Sequence, residues 1–218
     1  MFVRRESFKQ YLMYYPITAG LIAINIIMVI VMEIYGSSSN IFTLLQFGAI
    51  YKLTGVFDPE WWRFVTPIFL HGGLAHLFFN TFALIVFAPP LERMLGKPRY
   101  IACYLFSGVV GNIVSYFLHQ DDYVGVGASG AIYGIYAAYI YLALFRKDIM
   151  DYSSRKTIQT IVIIGVVYSI VPMNNIDLWA HLGGFLGGFA FMAMVIWSIK
   201  RRYERNQRVQ EVRDTDGV

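Results

Sequence analysis

The sequence predicts an all-α polytopic membrane protein, a bundle of six transmembrane helices with a long, membrane-associated first loop. Three observations carry that prediction. The 218 residues are 57% hydrophobic and only 15% charged, where a soluble domain carries about a quarter charged residues. The charges are also segregated: windows free of Asp, Glu, Lys and Arg run 11–32, 64–91, 100–120, 123–145, 157–176 and 178–199. Each window is about 20 residues or longer, the length a helix needs to cross roughly 30 Å of hydrocarbon. Finally, of the 18 Lys and Arg, all but Lys52 and Arg63 fall before the first window, between the second and third, between the fourth and fifth, or after the sixth. Six crossings put those four regions on one side, and the positive-inside rule makes that side cytoplasmic.

The same figures exclude a soluble enzyme, a coiled coil, a disordered chain and a nucleic-acid-binding module. The net charge of +4 reflects orientation and attraction to anionic lipid, so membrane lipids and not nucleic acid are the expected partners. A lone cysteine, Cys103, excludes an internal disulfide and a cysteine-rich zinc site.

Along the chain, residues 1–16 form a cytoplasmic segment bearing Arg4, Arg5 and Lys9. Residues 17–199 form the six-helix membrane domain. The basic tail, 200–218, lies in the cytoplasm and is expected to end in a short, fraying helix. The first apolar stretch is long enough to span and lacks a small-residue cleavage site, so it reads as a retained signal anchor. The loop at 36–73 is far longer than an ordinary connection. It mixes Trp61, Trp62 and Phe64 with Lys52, Asp58, Glu60 and Arg63. An extra crossing there would reverse every later loop against the charge pattern. The loop is therefore expected to fold onto the outer leaflet, where Trp and Tyr are favoured, with its backbone buried against protein or facing water. Pro89 and Pro90, late in the second window, predict a local bend. Shorter outer connections are expected at Asp121–Asp122 and at 172–177.

Polar side chains inside spans are functional candidates, because they cost stability unless paired. Asn25, Asn112 and Ser115 read as interhelical hydrogen bonders, Glu92 as an interfacial carboxylate near Arg93 or a structural clamp, and His119 as a solvated helix-end residue. Four others converge. His76 and Asn80 are four apart and share a face near the outer end of the second span. Ser129, in Gly127-Ala128-Ser129-Gly130, and His181, in Ala180-His181-Leu182-Gly183-Gly184, open the fourth and sixth spans at about the same depth. Gly130 and Gly134, Gly183 and Gly187, and Gly184 and Gly188 carry the four-residue spacing that lets helix backbones approach closely.

Peptide hydrolysis needs an activated nucleophile, a proton acceptor and oxyanion donors. Ser129 can supply the first, His181 can act as general base and then acid, and His76, the Asn80 amide and the Ser129 backbone N–H can donate to an oxyanion. No carboxylate lies at the depth of His181; Asp177 is a helical turn outward, so the arrangement reads as a dyad. No His-Glu-x-x-His metal motif is present. His71 and His76, five apart, are expected on different helix faces, so no metal is predicted. Residues 127–131 lack the second glycine of the soluble-hydrolase nucleophile elbow. On the residues alone, a serine hydrolase competes with a transport or structural role.

At these positions the chain resembles the rhomboid intramembrane serine proteases. The likeness rests on Trp62-Arg63 in the first loop, on the run from His71 to Asn80 (His-Gly-Gly-Leu-Ala-His-Leu-Phe-Phe-Asn), on Gly127-Ala128-Ser129-Gly130 followed by Tyr133, and on residues 180–188 (Ala-His-Leu-Gly-Gly-Phe-Leu-Gly-Gly). It covers roughly residues 17–199 and looks like the minimal six-helix bacterial type. The resemblance implies Ser129 as nucleophile and His181 as its base, with His76, Asn80 and the Ser129 N–H as oxyanion hole. It further implies that Tyr133 supports the His181 ring, that Gly183 and Gly187 let helices four and six approach, and that Trp62 and Arg63 structure the loop. Cleavage of single-pass or polytopic membrane-protein substrates near the outer face, in a cell (plasma) membrane and without metal or cofactor, is the implied activity. A non-catalytic protein that binds unstable membrane helices is the competing reading, which Ser129→Ala separates.

Overall fold

The computed structural model describes residues 6–146, 148, 151–169 and 176–216. Eight α-helices and one small sheet make up these residues. A seven-residue helix, α1 (Phe8–Tyr14), starts with a capping box in which Ser7 and Gln10 satisfy each other's backbone N–H groups. Tyr15 leaves helical geometry at φ −127° and ψ 55°, and Pro16 opens α2 (Pro16–Tyr35). The first charge-free window is therefore two helices. Proline is suited to that first position because its missing N–H would have had no helical partner.

The long first loop is built of short pieces: α3 (Ile41–Phe47), β1 (Ile50–Lys52), and two successive 3-10 turns at Trp61–Phe64 and Thr66–Phe69. The second charge-free window begins at residue 64, and its helix, α4 (Leu74–Leu95), starts ten residues later, where the first loop was expected to end. Pro67, Gly72 and Gly73 explain the delay, with Gly73 in the left-handed region at φ 91°. The helix then runs through Pro89 and Pro90 without ending. After it come α5 (Lys97–Leu118), β2 (Tyr123–Gly125), α6 (Ser129–Phe145), α7 (Tyr152–Ser169) and α8 (Leu178–Asp216). The expected connection at 172–177 lies mostly outside the described residues, as do Arg4 and Arg5. In place of a short fraying helix, the tail continues α8 as far as Asp216.

The six long helices overlap the six predicted windows, one to each, and form an all-helical polytopic bundle. Among the described residues, α2, α4, α5 and α8 are long and apolar enough to cross a membrane, and α6 is a shorter apolar helix of 17 residues. Strand β1 pairs antiparallel with β2, setting Ile50 opposite Gly125 and Lys52 opposite Tyr123. The main core lies between α4, α5 and α6, around the fully buried Leu84, Leu91, Tyr100, Tyr104, Tyr139 and Leu142. A second cluster, Val29, Met32, Leu44, Ala49 and Leu70, seats the first loop on α2.

Glu92 proves to be a clamp. Only 2% exposed, its carboxylate accepts the backbone N–H groups of Ile17 at 3.0 Å and Thr18 at 2.8 Å, and the Thr18 hydroxyl at 2.7 Å. It thereby satisfies the donors that the start of α2 leaves unpaired and places negative charge at the positive end of that helix. Among the described residues its partners are Ile17 and Thr18, and Arg93 makes no ion pair with it.

Helix α8 lies between α5 and α6, and glycines bring it close to both. The sequence assigned Gly183 and Gly187 to the contact with the fourth long helix, α6; the structure corrects this. A Cβ on Gly183 would meet Val114 Cβ at 2.6 Å and Val110 O at 2.9 Å, and one on Gly187 would meet Val110 and Ser107 at 3.0–3.3 Å, all on α5. Gly184 and Gly188 are the residues that abut Gly130 and Gly134 of α6, backbone against backbone. Neighbouring helical residues differ by about 100° in direction, so one register step exchanges the two partners.

Replacing Glu92 with Ala leaves three donors unpaired and should cost about 3 kcal/mol, read as a lower melting midpoint in detergent. An unchanged midpoint would remove the clamp. Gly184→Ala should cost about 2 kcal/mol through backbone overlap. Gly20→Ala, where nothing lies within 4 Å of the added carbon, should leave the midpoint unchanged or raised.

Candidate active site

His76, Asn80, Ser129 and His181 stand in the first two turns of α4, α6 and α8. Ser129 is the first residue of α6 and is half-buried. The helix makes its first backbone bond from Ile132 N–H to Ala128 O at 3.0 Å, so the N–H groups of residues 129–131 have no acceptor within the helix. They point toward the chain's start, where negative charge is stabilised.

The approach to Ser129 is set by Gly127. Its φ of 128° is open to glycine and strained for other residues, and its N–H donates to Pro67 O at 2.8 Å. A side chain there is also excluded by a neighbour: a Cβ would lie 2.7 Å from both Cε1 and Nε2 of His76, and 3.7 Å from Ser129 Oγ. The His76 edge and the Ser129 hydroxyl thus flank one point. The Gly72 N–H donates to His76 Nδ1 at 3.3 Å. A neutral imidazole with one nitrogen accepting carries its proton on the other, so Nε2–H is the donor turned toward Gly127. One turn on, Asn80 is buried, and its Nδ2 has no hydrogen-bond partner among the described residues.

His181 lies in the first turn of α8, 6% exposed, with its N–H bonded to Asp177 O at 3.2 Å. Its ring stacks on Tyr133 with centroids 4.1 Å apart and planes 12° from parallel. Tyr133 is one turn beyond Ser129 on α6, so one helix carries both the hydroxyl and the platform beneath the imidazole. Gly130 brings the two helix starts together, since a Cβ there would meet Ala180 O at 3.3 Å.

His71 departs from expectation. It precedes α4, so the helical spacing rule does not apply to it, and its ring meets the His76 ring edge-on at 5.1 Å and 68°. It is fully buried. Among the described residues no group of three or more His, Cys, Asp or Glu is arranged to hold a metal. His119, expected in solvent, is partly covered: Nδ1 lies 3.2 Å from Ser115 Oγ and its ring stacks on Tyr123 at 4.1 Å. Asn112, expected to bridge helices, instead donates from Nδ2 to Phe64 O in the first loop at 2.8 Å.

Trp62 and Arg63 lie in the first 3-10 turn. Arg63 Nη1 donates to Leu45 O at 2.8 Å and Ala49 O at 3.0 Å, Nε pairs with Glu60 at 2.5 Å, and the guanidinium covers the Trp62 ring at 4.4 Å. The Glu60 carboxyl is held below its ordinary range, first by its own backbone N–H and then by Arg63. Trp62 in turn packs on Gly48, whose φ is 105°. One arginine therefore gathers the end of α3, β1 and the 3-10 turn.

Residues 58–198 match the Rhomboid domain. The chain belongs to the rhomboid family. Among its relatives, the rhomboid-described YdcA of Bacillus subtilis (strain 168), a provisional protease by name, is 38% identical over 203 residues, covering 93% of this chain and 100% of the relative. Rhomboid protease GluP of the same organism is 40% identical over 168 residues, 77% of this chain and 32% of its own length. Rhomboid-type serine protease 2 of Emericella nidulans is 33% identical over 152 residues, 67% of this chain and 29% of its own length. A rhomboid domain is a polytopic membrane bundle, which agrees with the helices described above.

Gly127→Ala combines a strained φ with an overlap on His76, and should cost about 1–3 kcal/mol, checked by the melting midpoint. A midpoint equal to the wild type would show that the Gly127 geometry is not required.

Proposed function

We propose that this rhomboid-family chain, an intramembrane serine protease, cleaves membrane-protein substrates through a Ser129–His181 dyad and an acyl-enzyme. The observation that carries this reading is the shared placement of Ser129 and Tyr133 on α6, with His181 stacked on Tyr133 and the His76 edge beside the serine.

In the first step Ser129 Oγ attacks the scissile carbonyl while His181 takes the hydroxyl proton. Charge develops on the carbonyl oxygen, and the donors available to it are the Ser129 N–H, His76 Nε2–H and Asn80 Nδ2–H, preorganised where the charge appears. Collapse breaks the C–N bond, with His181 returning the proton to the leaving amine. Water then enters, gives its proton to His181 and hydrolyses the ester, and Ser129 is restored. Tyr133 fixes the imidazole plane throughout, the orienting task that a carboxylate performs in a triad.

Substrates are single-pass or polytopic membrane proteins whose helix unwinds locally, because a helical peptide bond is shielded and hydrogen-bonded. The arrangement belongs in a cell membrane, with both termini cytoplasmic by the charge pattern and the site open to the opposite side. That opening admits the water that lipid excludes. No cofactor is invoked in any step.

Ser129→Ala and His181→Ala should each remove cleavage by at least about a thousandfold while leaving membrane insertion intact. The check is labelling of membranes by a fluorophosphonate that reacts with activated serines, alongside cleavage of a single-pass reporter. Labelling or cleavage retained in folded Ser129→Ala would overturn the nucleophile assignment.

A further inference from the structure

The sequence set Asp177 aside because it lies a helical turn from His181. The carboxylate has other work. Asp177 immediately precedes α8, where Oδ1 accepts the Ala180 N–H at 2.9 Å and its backbone oxygen accepts the His181 N–H at 3.2 Å. Both bonds fix the turn that carries the imidazole. Its other oxygen, Oδ2, accepts the Ser115 hydroxyl of α5. The same oxygen would lie 3.7 Å from a Cβ on Gly125, the last residue of β2.

Strand β2 leads through Val126 and Gly127 to Ser129, so Asp177 sits where the histidine helix meets the strand that delivers the serine. The surrounding contacts hold that strand in place. Ser115 Oγ is 3.2 Å from His119 Nδ1, the His119 ring stacks on Tyr123 of β2 at 4.1 Å, and Lys52 of β1 donates from Nζ to His119 O at 2.8 Å. Lys52 is also the register partner of Tyr123. Two helices and the end of β2 meet at one carboxylate, and β1 is tied to the same group through Lys52 and His119.

We infer that Asp177, acting with Ser115, is a positioning residue for the Ser129–His181 pair. It joins the first turn of α8 to α5 and to β2, and so fixes the imidazole relative to the hydroxyl from the end of the bundle. The inference rests on the dyad reading above and deepens it. A misplacement of about 1 Å between reacting groups can cost a hundredfold in rate, whereas binding elsewhere on the protein is unaffected. Loss of Asp177 should therefore slow the chemical step and leave ligand affinity alone.

The test is saturation labelling of the full-length protein in membranes by a fluorophosphonate, which separates the maximal labelling rate from the half-saturating concentration. Asp177→Ala should lower the maximal rate at least about tenfold while the half-saturating concentration stays within about twofold. Asp177→Asn should restore the rate to within about threefold, because asparagine caps a helix as well as aspartate and still reaches Ser115. Ser115→Ala, which leaves the cap intact, should lower the rate with little change in melting midpoint. A merely structural role predicts a lower midpoint and less folded protein, with the wild-type rate per folded molecule; that result would overturn the inference. If Asp177→Ala does not fold, Ser115→Ala decides, and a wild-type rate there overturns it equally. Wild-type protein that is not labelled, or Ser129→Ala that is, would instead overturn the dyad reading itself.

Discussion

Everything at the site depends on two helices touching through their backbones. In lipid there is no hydrophobic drive to pull one apolar helix onto another, so association rests on close packing and on hydrogen bonds. Gly184 and Gly188 supply the packing against Gly130 and Gly134, while Gly183 and Gly187 turn the other way to α5. The two stripes make α8 a wedge whose rotation and depth are set by main chain on both sides. Ser129 immediately precedes one stripe and His181 closely precedes the others, so the contact that holds the helices also sets the height of both residues. A side chain added to either stripe would push the imidazole away from its Tyr133 platform as a direct mechanical consequence.

Glycine packing sets the spacing of the helices, and buried polar groups finish their ends. Glu92 takes three donors at the start of α2. Asp177 performs the equivalent task for α8. Arg63 donates to the carbonyls of Leu45 and Ala49, at the end of α3 and just beyond it. A buried polar group with several satisfied bonds stabilises and specifies, and one with a missing partner costs more than it ever contributed. These three residues therefore act as locks on segments that apolar packing alone would leave free to slide.

The number and placement of the long helices were legible because charge is excluded from membrane spans with little ambiguity. Their limits were less so. The absence of charge does not distinguish a helix from an apolar loop packed on the bundle: the charge-free window from 64 takes in the last ten residues of the first loop, and only the loop bound at about Gly73 sets them apart from α4. The strand pair was invisible for a similar reason: three-residue strands carry no period. Ser129, His76, Asn80 and His181 stood out as polar residues in apolar surroundings. Tyr133 did not, because nothing in a chain with 16 tyrosines marks one ring as a platform; only the family pattern did. Which glycine stripe meets which helix depends on absolute rotation, a quantity that spacing cannot contain. The Asp177 contact was equally hidden, since its partner Ser115 is 62 residues away.

The length of α6 gives these details a common purpose. At 17 residues it extends about 26 Å, less than the 22-residue α4 and α5 beside it. The chain ahead of it makes up the difference in extended and turn geometry: β2, the positive-φ Gly127, and the fully buried Ala128. Non-helical backbone at such a position is stable only when protein or water satisfies it. Here β1 pairs with β2, and Pro67 accepts from Gly127. The first loop is thus the surface on which the start of α6 is completed, as well as a covering for the bundle. Shortening α6 brings a helix start, with its unpaired N–H groups and its serine, below the ends of neighbouring helices. A full-length helix would carry the same serine out to the level of its neighbours' ends, away from Asn80 and from the His76 edge, and the donors that stabilise developing charge would no longer converge.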